Sequence, residues 1–368
     1  MDSQHIETLI VGAGQAGLTT GYQLQRRDRS FLIVDANERV GDNWRQQWDT
    51  LRLYTPAKYD GLPGLPFPAD PWHYPGKNEV ADFLELYALT FDLPVRMSTR
   101  VRRLARDGSG GFRAELDDGT ITCDNVVVAT GSFGRTPYVP DLAADLDPDI
   151  LQLHSSEYRR PGQLRPGRVL VVGASHSGCD IAWEVAPTHP TTLSGRDCGE
   201  IPVKLDSWNA HVVLPLVVFA FRHVLTRRTP MGRKEMAEVR AHGGPALRVK
   251  LKDLLDRGVD RREARVTGVS GGRPVLADGT VVDATNVVWC TGFRQVFDWI
   301  DLPVLGEDGW PREYRGVVDS EPGMFFCGLS FQFAMSSMVF PGIGRDSDHV
   351  AGQIDRRMQS RRPTTAAA

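Results

Sequence analysis

Apolar positions gather toward the end of the segment Ile6 to Val11, and Gly12-Ala13-Gly14-Gln15-Ala16-Gly17 follows at once. A solid apolar run of this kind predicts a strand buried on both faces of a parallel sheet, and the glycines predict a tight turn into a helix. Phe31-Leu-Ile-Val34 predicts the next strand and ends in Asp35. The pattern then returns. Leu170-Val171-Val172 runs into Gly173-Ala174-Ser175-His176-Ser177-Gly178, and Asn125-Val-Val-Val-Ala-Thr130-Gly131 has its echo in Asn286-Val-Val-Trp-Cys-Thr291-Gly292. Gly12 to Gly173 and Gly131 to Gly292 span the same 161 residues. Upstream of each Thr-Gly pair lies a hairpin signal, Leu116-Asp-Asp-Gly-Thr120 and Leu276-Ala-Asp-Gly-Thr280, in which Asp-Gly favours a tight primed turn.

One build thus occurs twice: strand, glycine turn, helix, then a hairpin leading to a buried strand that ends in Thr-Gly. This predicts an α/β protein with two Rossmann-like dinucleotide-binding domains, the second inserted in the first. Pro161, Gly162, Pro166 and Gly167 mark where the second copy opens. No third glycine turn follows Gly292, so the last part of the chain is expected to return to the first domain. The expected boundaries are 1–161 and 289–355 for the first domain, 162–288 for the second, and a frayed tail over 356–368. The longest apolar run, His211 to Phe221, is broken by Pro215 and falls short of the roughly 20 residues that span a bilayer. It predicts a buried cap or interface segment, with membrane-surface contact as the lesser alternative. The basic run from Arg222 to Lys234 reads as a solvated rim.

The turns carry chemistry. In the first, Gly12 permits the tight bend, Gly14 lets backbone approach a pyrophosphate, and Gly17 lets the helix pack on the strand. Gln15 and Ala16 open that helix, whose free N–H groups favour phosphate. In the second, Ser175 replaces the middle glycine between Gly173 and Gly178, and His176 reads as a turn residue beside Ser177. Asp35 and Arg196 each stand 23 residues past the first glycine of their turn. An acid at this position accepts from ribose hydroxyls and repels a 2′-phosphate, whereas an arginine can clamp that phosphate. The first turn therefore suits FAD and the second NADPH.

Composition removes other classes. Lys and Arg number 43 against 46 acidic residues, for a net charge of −3, so no basic excess points to nucleic acid. Five cysteines without a C-x-x-C pair argue against a disulfide framework, a zinc site or a redox dithiol, and fit a reducing cytoplasm. No metal-ligand cluster and no integral membrane segment are expected. A homodimer is left open.

With the turns placed, the chain resembles the flavin-containing monooxygenases, YUCCA-like enzymes and their bacterial relatives among them, from about Ile6 to Ile354. Val40-Gly41-Asp42-Asn43-Trp44 is similar to the family's Gly-Gly-x-Trp stretch, and Leu51-Arg-Leu-Tyr54-Thr-Pro56 to the segment beside the flavin. Gly328-Leu-Ser-Phe-Gln332 and Gly342-Ile-Gly-Arg-Asp346 resemble its closing FAD-contact helix. The resemblance implies FAD contacts at Asn43, Trp44, Thr130, Gly131, Gly342 and Asp346, and places Thr291 and Gly292 at the paired strand end. It also implies that NADPH reduces the flavin, that molecular oxygen adds at flavin C4a, and that one oxygen atom passes to a small organic substrate. Tyr54, standing where the family usually has Asn, and Gln332 are the implied catalytic hydrogen-bond donors to the flavin peroxide. The fingerprint between the domains keeps His154 and Tyr158 but has Pro148 and Ile150 where Phe and Gly are usual.

Two rivals to a monooxygenase remain: a flavoprotein reductase or oxidase that does not oxygenate, and a non-catalytic FAD or NADP(H) sensor. Trp44, Trp48, Tyr54, Tyr59, Trp72 and Tyr74 are expected in the core, with a substrate or flavin wall as the alternative.

Overall fold

The structure, a computed structural model, describes residues 3–131, 136–201, 203–205, 207–241 and 244–361. In chain order the first stretch forms β1 (Ser3–Val11), α1 (Gln15–Gln25), β2 (Phe31–Val34), the single-turn α2 (Asp42–Arg45) and α3 (Lys77–Thr90). It continues through β3 (Val95–Arg96), β4 (Val101–Arg106), β5 (Phe112–Leu116), β6 (Thr120–Val128) and the short β7 (Thr136–Pro137). The second stretch contains β8 (Leu151–His154), β9 (Val169–Val172), α4 (His176–Val185), β10 (Thr191–Ser194), α5 (Ala210–Phe219), α6 (Pro230–Ala241) and α7 (Leu251–Asp256). After these come β11 (Asp260–Arg262), β12 (Val266–Ser270), β13 (Arg273–Leu276) and β14 (Asn286–Trp289), and the chain closes with β15 (Phe293–Arg294), β16 (Met324–Phe326) and α8 (Phe340–Arg361).

The two copies superimpose in topology. In the first sheet β1 lies between β2 and β6, all parallel; in the second β9 lies between β10 and β14, again parallel. Each of these central strands is packed on both faces, Ile10 and Val127 in one core and Leu9 and Val126 in another, with Val171 and Val288 set against Leu170 and Val287 in the second sheet, so these positions can all be apolar and buried. Both hairpins form where the Asp-Gly signals stand: Leu116 N–H donates to Gly119 O at 2.9 Å and Leu276 N–H to Thr280 O at 2.8 Å.

The long strand β6 changes partners halfway. Its first residues pair antiparallel with β5, and Val126 to Val128 pair parallel with β16. The chain after Gly292 therefore rejoins the first sheet. Alongside, α8 packs on α1, and Ile343, Val350 and Ile354 complete a core with Ile10, Leu18 and Tyr87. The two connections between the halves bind each other, since β7 and β15 form an antiparallel pair.

Three expectations change. Strand β8 lies ahead of residue 162, yet it pairs with β14 as an edge of the second sheet, so sheet membership begins before the expected boundary. Helix α8 continues to Arg361 because Arg357 and Arg361 are held by Asn125 and Asp124. The expected tail thus starts inside a helix, and its residues 362–368 lie outside the described ones. Last, the apolar run around α5 is not enclosed. Ala210, Leu214 and Val218 face inward, but the other side of the helix is open to solvent.

Candidate functional site

At the first turn Gly12 has φ +112°, and a Cβ there would sit 2.5 Å from Ala129 O and 3.3 Å from Thr130 Cα. The Thr130–Gly131 strand end is thus pressed against the turn, and no side chain fits between. At Gly17 a Cβ would fall 1.8 Å from Gly12 O, which brings α1 onto the turn. Gly14 is different: a Cβ there meets nothing within 4 Å. It borders the open space that a pyrophosphate would fill.

Asp35, at the end of β2, holds this turn. Its Oδ2 accepts from Ala13 N–H at 2.7 Å, and its Oδ1 accepts from the backbone and side-chain amides of Asn37, both at 2.8 Å. An ionised carboxylate offers about four acceptor positions. One is left, on the side of a cleft lined by Gly14, Asn43 and Trp44, where a ribose hydroxyl would lie. Asn43 is exposed there, and Trp44 packs on Phe340 with ring centroids 6.4 Å apart.

The returning C-terminal segment covers the start of α1. Gln15 Nε2 donates to Met338 O at 3.1 Å, and a Cβ on Gly328 would stand 2.7 Å from Ala16 Cβ. Several polar atoms in this layer are buried without a hydrogen-bond partner: Gln15 Oε1, Ser336 Oγ, Gln332 Nε2 and Asp346 Oδ2. Buried polar atoms are nearly always satisfied. Gln332 Nε2 lies toward Gly316, 2.6 Å from where a Cβ there would stand, whereas Gln15 Oε1 sits at the start of α1, where a cofactor hydroxyl would satisfy it; with the open space before Gly14, the cradle fits FAD. Gly342 has another reason to be glycine, because a Cβ would meet Ser336 O at 2.1 Å.

The second turn repeats the geometry. Gly173 has φ +107° with Cys290 O 2.3 Å from its would-be Cβ, and at Gly178 a Cβ would lie 1.7 Å from Gly173 O. Here Ser175 is more than a small spacer, since its hydroxyl donates to Gly244 O at 2.8 Å and ties a loop over the turn. Ser177 is half-buried on the first turn of α4. Arg196 is half-exposed just past β10, and no ion pair to its guanidinium is found among the described residues. A free cation at that position fits a 2′-phosphate. Thr291 donates to Tyr138 O, and Gly292 O accepts from Tyr138 N–H and from His154 Nε2, each at 2.9 Å. This strand end is therefore bound to the connection between the halves.

Likeness to known proteins decides the family. The family profile described as "Pyridine nucleotide-disulphide oxidoreductase" matches residues 9–197. The "Uncharacterized oxidoreductase CzcO-like" of Geobacillus kaustophilus is 34% identical over 95% of this chain and 99% of its own length. The "Probable indole-3-pyruvate monooxygenase YUCCA1" of Arabidopsis thaliana is 34% identical over 83% of this chain and 80% of its own. Among solved structures, a double mutant of a flavin monooxygenase from Stenotrophomonas maltophilia matches with a TM-score of 0.79 and 26% identity, covering 96% of this chain and 99% of that one. The chain belongs to the flavin-containing monooxygenase family. It is an oxidoreductase that uses FAD and NADPH.

This flavin-containing monooxygenase departs from expectation at Tyr54. The Tyr54 hydroxyl donates to Asp180 Oδ2 at 3.0 Å, and the same oxygen is 3.0 Å from Arg248 Nη2. Its one proton is committed across the two halves, to α4, so it has none to offer as the implied donor to an oxygen species. Burial first, and the Asp180 carboxylate second, push the Tyr54 phenol well above its ordinary range. The His176 ring packs on Tyr54 at 4.9 Å; its Nε2 is buried without a partner, and burial lowers its pKa. Spacing gave no sign of Asp180 and Arg248; the only hint was a carboxylate amid Cys179, Ile181 and Ala182 on an apolar helix. Gln332 is fully buried, its Oε1 accepting from Leu329 N–H at 3.3 Å while Nε2 stays unpaired. His154 is also buried, and burial lowers its pKa. With Nε2–H donating to Gly292, its Nδ1 accepts from Ser156, which fixes the neutral tautomer.

Proposed function

We propose that this monooxygenase takes electrons from NADPH through FAD and transfers one atom of molecular oxygen to a small organic substrate. The observation that carries the reading is the pair of glycine cradles: one ends in Asp35 and lies under buried unpaired polar atoms, the other ends in an unpaired Arg196. Gly12, Gly14 and Gly17 with the α1 N-terminus would take the FAD pyrophosphate, and Asp35 a ribose hydroxyl. Asp346 Oδ2 and Gln15 Oε1 would meet the rest of that cofactor. Gly173, Ser175, His176, Ser177 and Gly178 would seat the NADPH pyrophosphate. Bound flavin supplies the redox and oxygen-activating chemistry; the protein's part is to orient it and to exclude water. We draw the inserted NADPH unit from β8 through β14, since β8 and β14 lie in one sheet with β9, β10 and β11.

The test is turnover with NADPH under ¹⁸O₂ against a panel of amines, thioethers and keto acids. A product heavier by one labelled oxygen atom supports the proposal. NADPH consumption that appears wholly as hydrogen peroxide with every substrate would make the chain an oxidase instead, which the engagement of Tyr54 by Asp180 would favour.

Cofactor choice gives a second prediction. Arg196→Ala should raise KM for NADPH and leave KM for NADH nearly unchanged, because only NADPH presents a 2′-phosphate. A charge-assisted clamp contributes roughly 1.5–3 kcal/mol, about ten- to a hundredfold. Equal losses with both cofactors in steady-state kinetics would show that Arg196 does not touch the phosphate.

A further inference from the structure

The solvent side of α5 is apolar in a pattern that the two cofactor cradles do not use. Trp208, just before the helix, and Val212, Leu216 and Phe219 along it are 74%, 58%, 65% and 59% exposed. Steps of four, four and three residues keep these side chains on one helical face. The helix is not turned the wrong way round, because Ala210, Leu214 and Val218 on its other side are buried, and Ala210 and Leu214 share a cluster with Tyr54, Trp72 and Tyr74. Beyond Phe219 one wider helical turn carries Arg222 and His223 on to Val224, with the His223 ring 4.9 Å from that of Phe219. Met231, at the start of α6, is exposed as well.

Charge identifies the occupant. From Ser207 to Lys234 the chain has Arg222, Arg227, Arg228, Arg233 and Lys234 and no aspartate or glutamate, although acidic residues outnumber basic ones over the whole sequence. Arg227 is taken up by Glu313 at 2.6 Å, while Arg222, Arg228, Arg233 and Lys234 are exposed. An exposed apolar stripe containing Trp and Phe, followed in the chain by exposed cations, combines the apolar burial and the attraction to anionic lipid that hold a protein segment in the interface of a bilayer. A second copy of the chain fits less well. A two-fold contact would set the same cations against each other. The helix is too short to span, and no helix among the described residues is long and apolar enough to cross a membrane.

We propose that the α5 face docks on anionic phospholipid bilayers, with Trp208, Val212, Leu216 and Phe219 inserted below the headgroups and Arg222, Arg228, Arg233 and Lys234 against lipid phosphates. The docking holds the enzyme at the surface by one exposed apolar helix face and the cations that follow it in the chain, and does not depend on which substrate it oxidises.

Flotation of the flavin-loaded protein tests this with vesicles of phosphatidylcholine and phosphatidylglycerol in equal parts and with vesicles of phosphatidylcholine alone. The protein should rise with the mixed vesicles, far less with the neutral ones, and be released at high salt. Leu216→Ser/Phe219→Ser should remain in the lower fractions while its flavin absorbance and thermal unfolding match wild type. Arg222→Glu/Lys234→Glu should weaken association with the mixed vesicles by roughly 25-fold or more. Failure of the wild type to rise with mixed vesicles overturns the proposal. If that protein also sediments as a dimer and Leu216→Ser/Phe219→Ser as a monomer, the stripe joins two copies. Variants that float like wild type would likewise overturn the assignment to α5.

Discussion

Gly14→Val is expected to give a folded protein without its yellow colour. Gly14 has φ −78° and ψ −176°, an extended conformation open to any residue, and a Cβ there meets no protein atom within 4 Å. At its Cβ the substitution therefore meets open space. Gly14 is also the N-cap of α1 and makes no side-chain cap bond, so the cost to stability should stay near ~1 kcal/mol. The branched side chain does occupy the space in front of the α1 N-terminus. FAD affinity should fall at least ~100-fold, on the order of 3 kcal/mol. Gly12→Ala makes the control. With φ +112° and Ala129 O 2.5 Å from the new Cβ, it should lower the unfolding midpoint as well as the flavin content. Flavin absorbance of the purified proteins, read beside circular dichroism, separates the two cases. A Gly14→Val protein that retains full flavin would remove pyrophosphate from that space and with it the assignment of the first cradle.

The same two glycines show what could be read from the sequence. A tight bend pressed on a strand end leaves a local trace, because only glycine tolerates it, and a duplicated trace 161 residues on marks a duplicated sheet. Asp35 was legible for the same reason: the length of one strand–helix–strand unit fixes how far it stands from the turn. What holds Asp35 was not, since Asn37 reaches it through a local turn that many residue pairs could make. Contacts between the halves left no trace either. Tyr54 stands 126 residues from Asp180, and Arg227 stands 86 from Glu313, so neither pairing has a spacing to betray it. Strand β8 was missed as part of the second sheet because four residues, Leu151–His154, with alternating polar positions give little periodicity. For α5 the composition was read as burial, whereas position along the helix, with Ala210, Leu214 and Val218 inward and Trp208, Val212, Leu216 and Phe219 outward, determines exposure.

A large pH effect should come from Asp60, which no motif singled out. Its carboxyl is fully buried between the segment beside the first cradle and the Leu62–Leu65 bridge. Oδ1 accepts from the Thr55 hydroxyl at 2.5 Å, while Oδ2 is buried without a partner. Burial raises its pKa from 3.8 to about 8, the Thr55 bond offsetting only part of the shift. The sign follows from the two states. Below pH 3.8 both folded and unfolded chains hold the proton and nothing is lost. Between 3.8 and about 8 the unfolded chain releases it while the folded chain keeps it, so stability falls as pH rises. Above about 8 the folded chain ionises too, and the loss levels off at its full size, on the order of 5 kcal/mol. Asp60→Asn keeps an acceptor for Thr55 and cannot ionise. The variant should therefore exceed wild type by about 1–2 kcal/mol at about pH 5 and by about 5 kcal/mol at about pH 9. In thermal unfolding this is a gap that widens to roughly 5–10 °C. Parallel pH profiles for the two proteins would mean that Asp60 is ionised in the folded state, held by a partner that its buried Oδ2 does not show.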